Sequence, residues 1–432
     1  MYSLVHVLAG LPTGEGLGAM TSAMGQGDWA GRCARCVLPR SVHHQFAPGS
    51  DTCNMCRLAA ETPPADSPAP RSQTLHAELD AIRRRARRSP FDCAVGLSGG
   101  RDSTYLLYRL VRAHGLRCLA VYYRTAFTPD VTDDNVRTTA RILGVPLVEI
   151  RNIPWELHRR TARRFFLLWR TQPFPEIANL CCAACKLVNR ELLRITRRHR
   201  VPTLALGDNL YEEIQFLATF RPQDLSSHAH SLGDQFAKLL SIACKGTRLI
   251  AKAPALWADL PLGIQASLLY LTPHSAYLRL RYPEISRFPY FYYVPWREQD
   301  VVGTIQSELG WRLPPDCTSS WKADCDFAEL KNYMFHRAHG ATYTDGLLSN
   351  LVRAGQMSRD QALDRICGTP QFSLPRLRRV LAALDLPPNL LDAHAQPRAA
   401  ATDADREPGV YEPVAQHPSR QPLSARRQAP PP

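Results

Sequence analysis

The thirteen residues from Phe91 to Ser103, Phe-Asp-Cys-Ala-Val-Gly-Leu-Ser-Gly-Gly-Arg-Asp-Ser, constrain this chain more than any other stretch. Cys93 to Leu97 is a short apolar run and reads as a buried strand. Ser98-Gly99-Gly100 turns the chain, and the residues from Ser103 to Leu110 open an amphipathic helix. A strand, a glycine turn and a helix N-terminus in succession make an anion site. Glycine lets the backbone approach an oxyanion, and the unpaired amides and helix dipole favour negative charge there. The segment is neither a Walker loop, which needs Gly-x-x-x-x-Gly-Lys-Ser/Thr, nor a Gly-x-Gly-x-x-Gly turn.

Beyond the loop the chain alternates between strand and helix. Residues 116–124 read as a second strand, 133–143 as a helix, 145–151 as a third strand and 155–170 as a long helix. Residues 187–199 read as a further helix, and 202–206 as a strand ending in Gly207-Asp208-Asn209. Such alternation predicts an α/β fold with a doubly wound parallel sheet, whose ligands bind beyond the C-terminal ends of the strands. Gly99-Gly100 and Gly207-Asp208 both fall at such ends. Asp102 is then the natural magnesium partner, since magnesium takes carboxylate and phosphate oxygens together. Ser98 and Ser103 offer hydroxyls to phosphate, Arg101 and Lys186 offer positive charge, and Asp208 and Asn209 face ribose, magnesium or acceptor.

The thirteen cysteines carry the second signal. Cys33-x-x-Cys36, sixteen residues and then Cys53-x-x-Cys56 have the spacing of a structural tetrahedral zinc site. Cys181-Cys182-x-x-Cys185 precedes a helix on the way to Gly207. Cys182 and Cys185 with the distant Cys325 would hold a second zinc or, as three thiolates, an iron–sulfur cluster. Such cysteine usage fits a reducing cytoplasm better than a disulfide framework. The organisation expected is a disordered extension over 1–30, a zinc module over 31–60, and a linker and basic helix over 61–89. A nucleotide domain over 90–295, a helical region over 296–393 and a disordered tail over 394–432 complete it. No run is long and apolar enough for a membrane span. The net charge of +14 suits nucleotide or phosphorylated ligands; no aromatic-interleaved motif accompanies it to point to nucleic acid.

Ser98-Gly99-Gly100-Arg101-Asp102-Ser103 resembles the PP-loop of ATP pyrophosphatases, which have an adenine nucleotide alpha hydrolase-like fold. Over roughly residues 33–367 the chain is similar to the N-acetyl sugar amidotransferases of that group. The similarity rests on Cys33-Ala34-Arg35-Cys36 with Cys53-Asn54-Met55-Cys56, the loop itself, and Cys182-Ala183-Ala184-Cys185-Lys186 with Gly207-Asp208-Asn209. It also rests on Ser319-Ser320-Trp321-Lys322-Ala323-Asp324-Cys325, Asp345 to Asn350 and Arg353-Ala354-Gly355-Gln356. The resemblance implies that ATP and magnesium adenylate the N-acetyl oxygen of a sugar or sugar nucleotide. Ammonia then displaces AMP to give an acetamidino group, in surface polysaccharide biosynthesis. The chain shows no Gly-x-Cys-x-Gly glutaminase elbow and opens Met1-Tyr2 rather than on cysteine, so nitrogen is expected from a separate glutaminase partner. The alternative is a PP-loop sulfurtransferase that thiolates tRNA or a natural-product precursor. Arg101 stands where relatives often carry lysine.

Overall fold

The computed structural model describes residues 31–391, apart from 43–44, 62–71, 152, 154, 174, 213–246, 248–249, 252–253, 269–279, 318 and 370–371. The expected terminal segments 1–30 and 394–432, and 62–71 of the linker, lie outside the described residues, as does Cys244.

Two helices, α1 (Asn54–Glu61) and α2 (Ser72–Arg85), precede the sheet. The chain then runs β1 (Cys93–Gly96), α3 (Arg101–Tyr108), β2 (Cys118–Tyr122), α4 (Asp130–Leu143) and β3 (Leu147–Glu149). Helices α5 (Trp155–Thr171), α6 (Pro175–Leu180) and α7 (Leu187–Arg198) lead to β4 (Thr203–Leu206). After α8 (Leu260–Leu268) and β5 (Ser286–Pro289) come α9 (Glu298–Leu309), α10 (Phe327–His339), α11 (Tyr343–Arg353), α12 (Arg359–Cys367) and α13 (Leu374–Ala383).

The five strands form one sheet in the order β3-β2-β1-β4-β5, and every pair is parallel. This is the doubly wound sheet expected. From β1 the chain winds outward through β2 to β3, then returns to the other side of β1 as β4. The crevice between β1 and β4 is therefore the topological switch point, where ligands of such sheets bind. Burial on both faces of the sheet explains why β1 is apolar throughout. Cys93 and Val95 pack with Ala120, Ala205 and Phe288 into a core shared with α2, α3, α4, α9 and α11. Ala94 packs on the other face with Leu119, Val121, Leu204 and α7. The two edge strands are blunted as edges usually are: β3 ends in Glu149, paired with Arg137 and Arg151, and β5 in Pro289.

The helical residues after 296 share the sheet's own core, through Val301, Ile305, Leu309, Leu348 and Leu351. A third core joins the four N-terminal cysteines to Phe165 and Trp169 of α5, Phe335 of α10 and Leu381 of α13. All described residues fall within one compact unit. Among them no helix is long and apolar enough to cross a membrane.

Candidate active site

The glycine loop sits where β1 ends in the crevice. Gly99 has φ +84°, and a Cβ there would lie 2.7 Å from Cγ2 and 2.8 Å from the carbonyl oxygen of Thr132 on α4. Both the backbone angle and the space require glycine. Trp311 fixes the turn from behind, its indole donating to the Gly99 carbonyl at 2.9 Å. Ser103 does not cap α3 by its side chain; Gly100 is the N-cap. Its hydroxyl instead accepts from the Ser98 amide at 3.1 Å and lies 3.1 Å from the Ser98 hydroxyl, which in turn accepts from the Gly100 amide at 3.2 Å. Gly207, at the end of β4, lies against the loop: a Cβ on it would stand 3.4 Å from the Ser103 Cα. The two strand ends thus bring Ser98 to Ser103 and Gly207 together.

Asp102 is held from both sides. Its Oδ1 accepts from the Trp296 indole at 2.9 Å, and its Oδ2 from the Asn209 amide at 3.3 Å. Burial pushes its pKa up to about 6, against the pull of Arg101 and these donors. Oδ1 also takes the Arg101 Nε at 3.3 Å, which leaves Oδ2, with one of these donors, as the oxygen that could still take a hard cation such as magnesium.

Arg101 departs from the sequence reading. Expected to neutralise phosphate, it is 2% exposed and committed to protein partners. Its guanidinium reaches Asp102 at 3.3 Å, Glu212 at 3.3 Å and Glu298 at 3.2 Å, and donates to the Ser320 hydroxyl at 2.7 Å. It stacks on Trp321, 3.6 Å from the ring centroid. Glu298 anchors the cluster by also accepting from Ser320, the Trp321 indole and Arg365. Burial would raise the Glu298 pKa, but Arg365, Ser320 and Arg101 outweigh it and hold it low. A buried cation facing three carboxylates is a structural hub, and a fork of five donors suits it better than lysine. Asp324 closes the same wall, its Oδ2 3.1 Å from a Cβ placed on Gly100.

The second cysteine group lies within electrostatic reach of Lys186, which in turn feels Asp208 at the end of β4. Cys182 and Cys185 interact, and Cys182 is lowered to about 6 by the Cys185 thiol and then by Lys331, Lys186 and Lys322. Cys325 is pushed up to about 12 by burial. The nearest partner of Cys185 is His158 of α5, whose Nε2 lies 2.8 Å from the sulfur. Burial lowers this histidine to about 4, so it is neutral. Lys186 and Asp208 feel each other here, with burial lowering the lysine and raising the aspartate. Among the described residues, the one set of three or more His, Cys, Asp or Glu whose ligand atoms all lie within 4.8 Å of one another is Cys33, Cys36, Cys53 and Cys56. Cys182, Cys185 and Cys325 do not form such a set, but they are close enough to feel one another's charge, Cys325 acting on Cys185 and Cys182 on both.

The N-terminal set does fit zinc. All four cysteines are buried, and the Cys36 and Cys53 sulfurs lie 3.7 Å apart. Sulfurs at about 2.3 Å from a tetrahedral ion stand about 3.8 Å from each other. A single antiparallel bridge, Arg32 with Pro39, closes the first turn, and Phe46 with Cys53 brings in the second. Three arginines then dock the module. Arg32 pairs with Asp345 at 2.6 Å, Arg359 donates to the carbonyls of Cys33 and Cys36, and Arg353 faces three sulfurs.

Trp296, Glu298, Glu212, Lys331 and His158 lie outside every sequence motif, while Ser320, Trp321, Lys322 and Asp324 lie inside one that assigned them no role.

No family model and no curated protein matches this chain. Among solved structures it is similar to the U34-tRNA thiolase NcsA from Methanococcus maripaludis with its 4Fe-4S cluster, at 16% identity and a TM-score of 0.30, over 76% of this chain and 87% of that one.

Proposed function

We propose that this chain is an ATP-dependent enzyme that forms AMP and pyrophosphate, activating an oxygen of its acceptor so that nitrogen or sulfur replaces it. One observation carries the reading: a glycine-only turn and a doubly held carboxylate, Asp102, meet at the β1–β4 switch point. The amides after Ser98 and the N-terminus of α3 would take the phosphates. Asp102 would hold magnesium, which supplies charge to the departing pyrophosphate. The acceptor oxygen attacks the α-phosphorus, the α–β phosphoanhydride bond breaks and pyrophosphate leaves. The incoming nucleophile then attacks the activated carbon and AMP departs with the acceptor's oxygen. Lys186 and Lys322 favour the negative charge on that oxygen.

The first finer reading is transfer of ammonia-derived nitrogen to the N-acetyl group of a sugar or sugar nucleotide, with a glutaminase partner. It is supported by the segment 319–356, which resembles the amidotransferases and supplies Ser320, Trp321, Lys322 and Asp324 to the wall of the site. The second reading is sulfur transfer. It is supported by Cys182, a thiol lowered to about 6 among three lysines beside the same crevice, because the thiolate is the reactive form.

An acceptor carrying oxygen-18 at the attacked position tests the activation step. AMP should carry the label. Labelled ammonium and labelled persulfide then decide between nitrogen and sulfur. Unlabelled AMP overturns the adenylation.

A further inference from the structure

Both oxygens of Asp102 are tied, by separate routes, to the end of α11 and the turn that follows it, where the Gln356 amide donates back to the Leu351 carbonyl at 3.0 Å. One route runs through Gln356, whose side chain donates to the Trp296 carbonyl at 2.9 Å, while the Trp296 indole donates to Asp102 Oδ1 at 2.9 Å. The other runs through Asn350. Its amide donates to the Tyr211 carbonyl at 2.8 Å, the Tyr211 amide donates to Asn209 Oδ1 at 2.8 Å, and Asn209 donates to Asp102 Oδ2 at 3.3 Å. The rings of Tyr211 and Trp296 touch, with centroids 5.6 Å apart, so the two routes meet before they reach the carboxylate.

Arg353 stands between the Asn350 route and the cysteines. One arm of its guanidinium, Nη1, lies 3.4 Å from the Cys36 sulfur, 3.8 Å from Cys56 and 4.0 Å from Cys53. The other arm, Nη2, donates to Asn350 Oδ1. Asn350, Asn209 and Trp296 are all buried. A planar guanidinium with both arms engaged has one orientation, and it transmits that orientation to whatever its second arm holds. An ion holding all four sulfurs at one edge length would fix the seat of the first arm.

We infer that Arg353 and Asn350 are positioning residues that couple the four-cysteine metal centre to the magnesium-binding carboxylate. The zinc module does more than close its own small fold: its occupancy sets how Asp102 is presented to the nucleotide. This inference rests on the nucleotide site proposed above. Coupling of this kind is reciprocal, so nucleotide must tighten the metal by the same factor as metal tightens the nucleotide.

The test measures the equilibrium partition of zinc between the full-length protein and a chromogenic chelator, with and without saturating magnesium and α,β-methylene-ATP. Calorimetric titration of the same nucleotide runs in parallel. Nucleotide is expected to tighten zinc by at least about fivefold, the lower end of ordinary coupling. Asn350→Leu is expected to bind both ligands and lose the tightening. Arg353→Lys, which keeps the charge and loses the second arm, is read the same way should Asn350→Leu fail to fold. A wild-type zinc affinity indifferent to bound nucleotide overturns the inference and leaves the nucleotide site standing, as does full tightening in either variant. Absence of any nucleotide binding in the titration overturns the site, and the coupling with it.

Discussion

Replacing Arg101 by methionine separates two roles that the chain's sequence does not separate. A phosphate contact, once removed, weakens nucleotide binding and leaves the fold's stability unchanged. The buried hub does the reverse. Arg101 is 2% exposed, and the carboxylates it holds on Asp102, Glu212 and Glu298 are 12%, 22% and 18% exposed. Removing one partner of a buried ion pair costs about 3–5 kcal/mol, because the remaining charge stays desolvated and unmatched. The contact with Trp321 adds about 2 kcal/mol when desolvated, although methionine recovers part of that by packing on the ring. Taking about 3–5 kcal/mol as the net, at about 2 °C per kcal/mol for a chain of this size, the unfolding midpoint falls by roughly 6–10 °C. Arg101→Lys keeps the charge and loses the fork, so it should recover part of that fall. Differential scanning calorimetry at neutral pH measures both. Arg101 also pulls against the burial that pushes the Asp102 pKa up to about 6. Without it that pKa climbs further, and any variant that still turns over has its acid limb displaced to higher pH. An Arg101→Met protein that melts with the wild type but no longer binds nucleotide would refute the hub and restore the phosphate contact.

The same geometry fixes three further outcomes. Gly99→Ala puts a Cβ 2.7 Å from Thr132 at a φ of +84°; strain of about 1–2 kcal/mol from the angle alone, plus the clash, displaces the loop, and calorimetric titration should show nucleotide affinity lost. The wild-type rate should fall as pH drops through about 6, because protonation of Asp102 removes the magnesium ligand; the sign is acid loss, and a rate flat from pH 7 to 5 contradicts it. Cys33→Ser or Cys53→Ser should abolish one bound zinc per chain by metal analysis and lower the melting midpoint, since these thiols share a core with α5, α10 and α13; undiminished zinc would place the ion elsewhere.

Local pattern made the elements legible, and distance hid the site's wall. The strand at 93–97 and the helices at 155–170 and 187–199 sit within a residue or two of β1, α5 and α7, because apolar spacing and glycine punctuation are local signals. The four-cysteine centre was legible for the same reason, as its ligand pairs are turns of four residues. A cation beside a glycine loop ordinarily meets phosphate, and nothing local to Arg101 signals the acidic partners it has. Its partners Glu212, Glu298 and Ser320 lie 111, 197 and 219 residues away. Trp296, 194 residues from the carboxylate it positions, gave no pattern of its own. His158, whose Nε2 lies 2.8 Å from the Cys185 sulfur, is 27 residues away and gave no pattern of its own either.

The products of ATP test the central claim most directly. Wild-type protein with magnesium and ATP labelled at the α-phosphate is given N-acetylated sugar nucleotides in one arm and tRNA in the other, with ammonium and persulfide supplied, and the nucleotides are separated. The account predicts labelled AMP matched one to one by pyrophosphate, reduced to background in Asp102→Asn. Labelled ADP with inorganic phosphate, or AMP formed equally by Asp102→Asn, would contradict it.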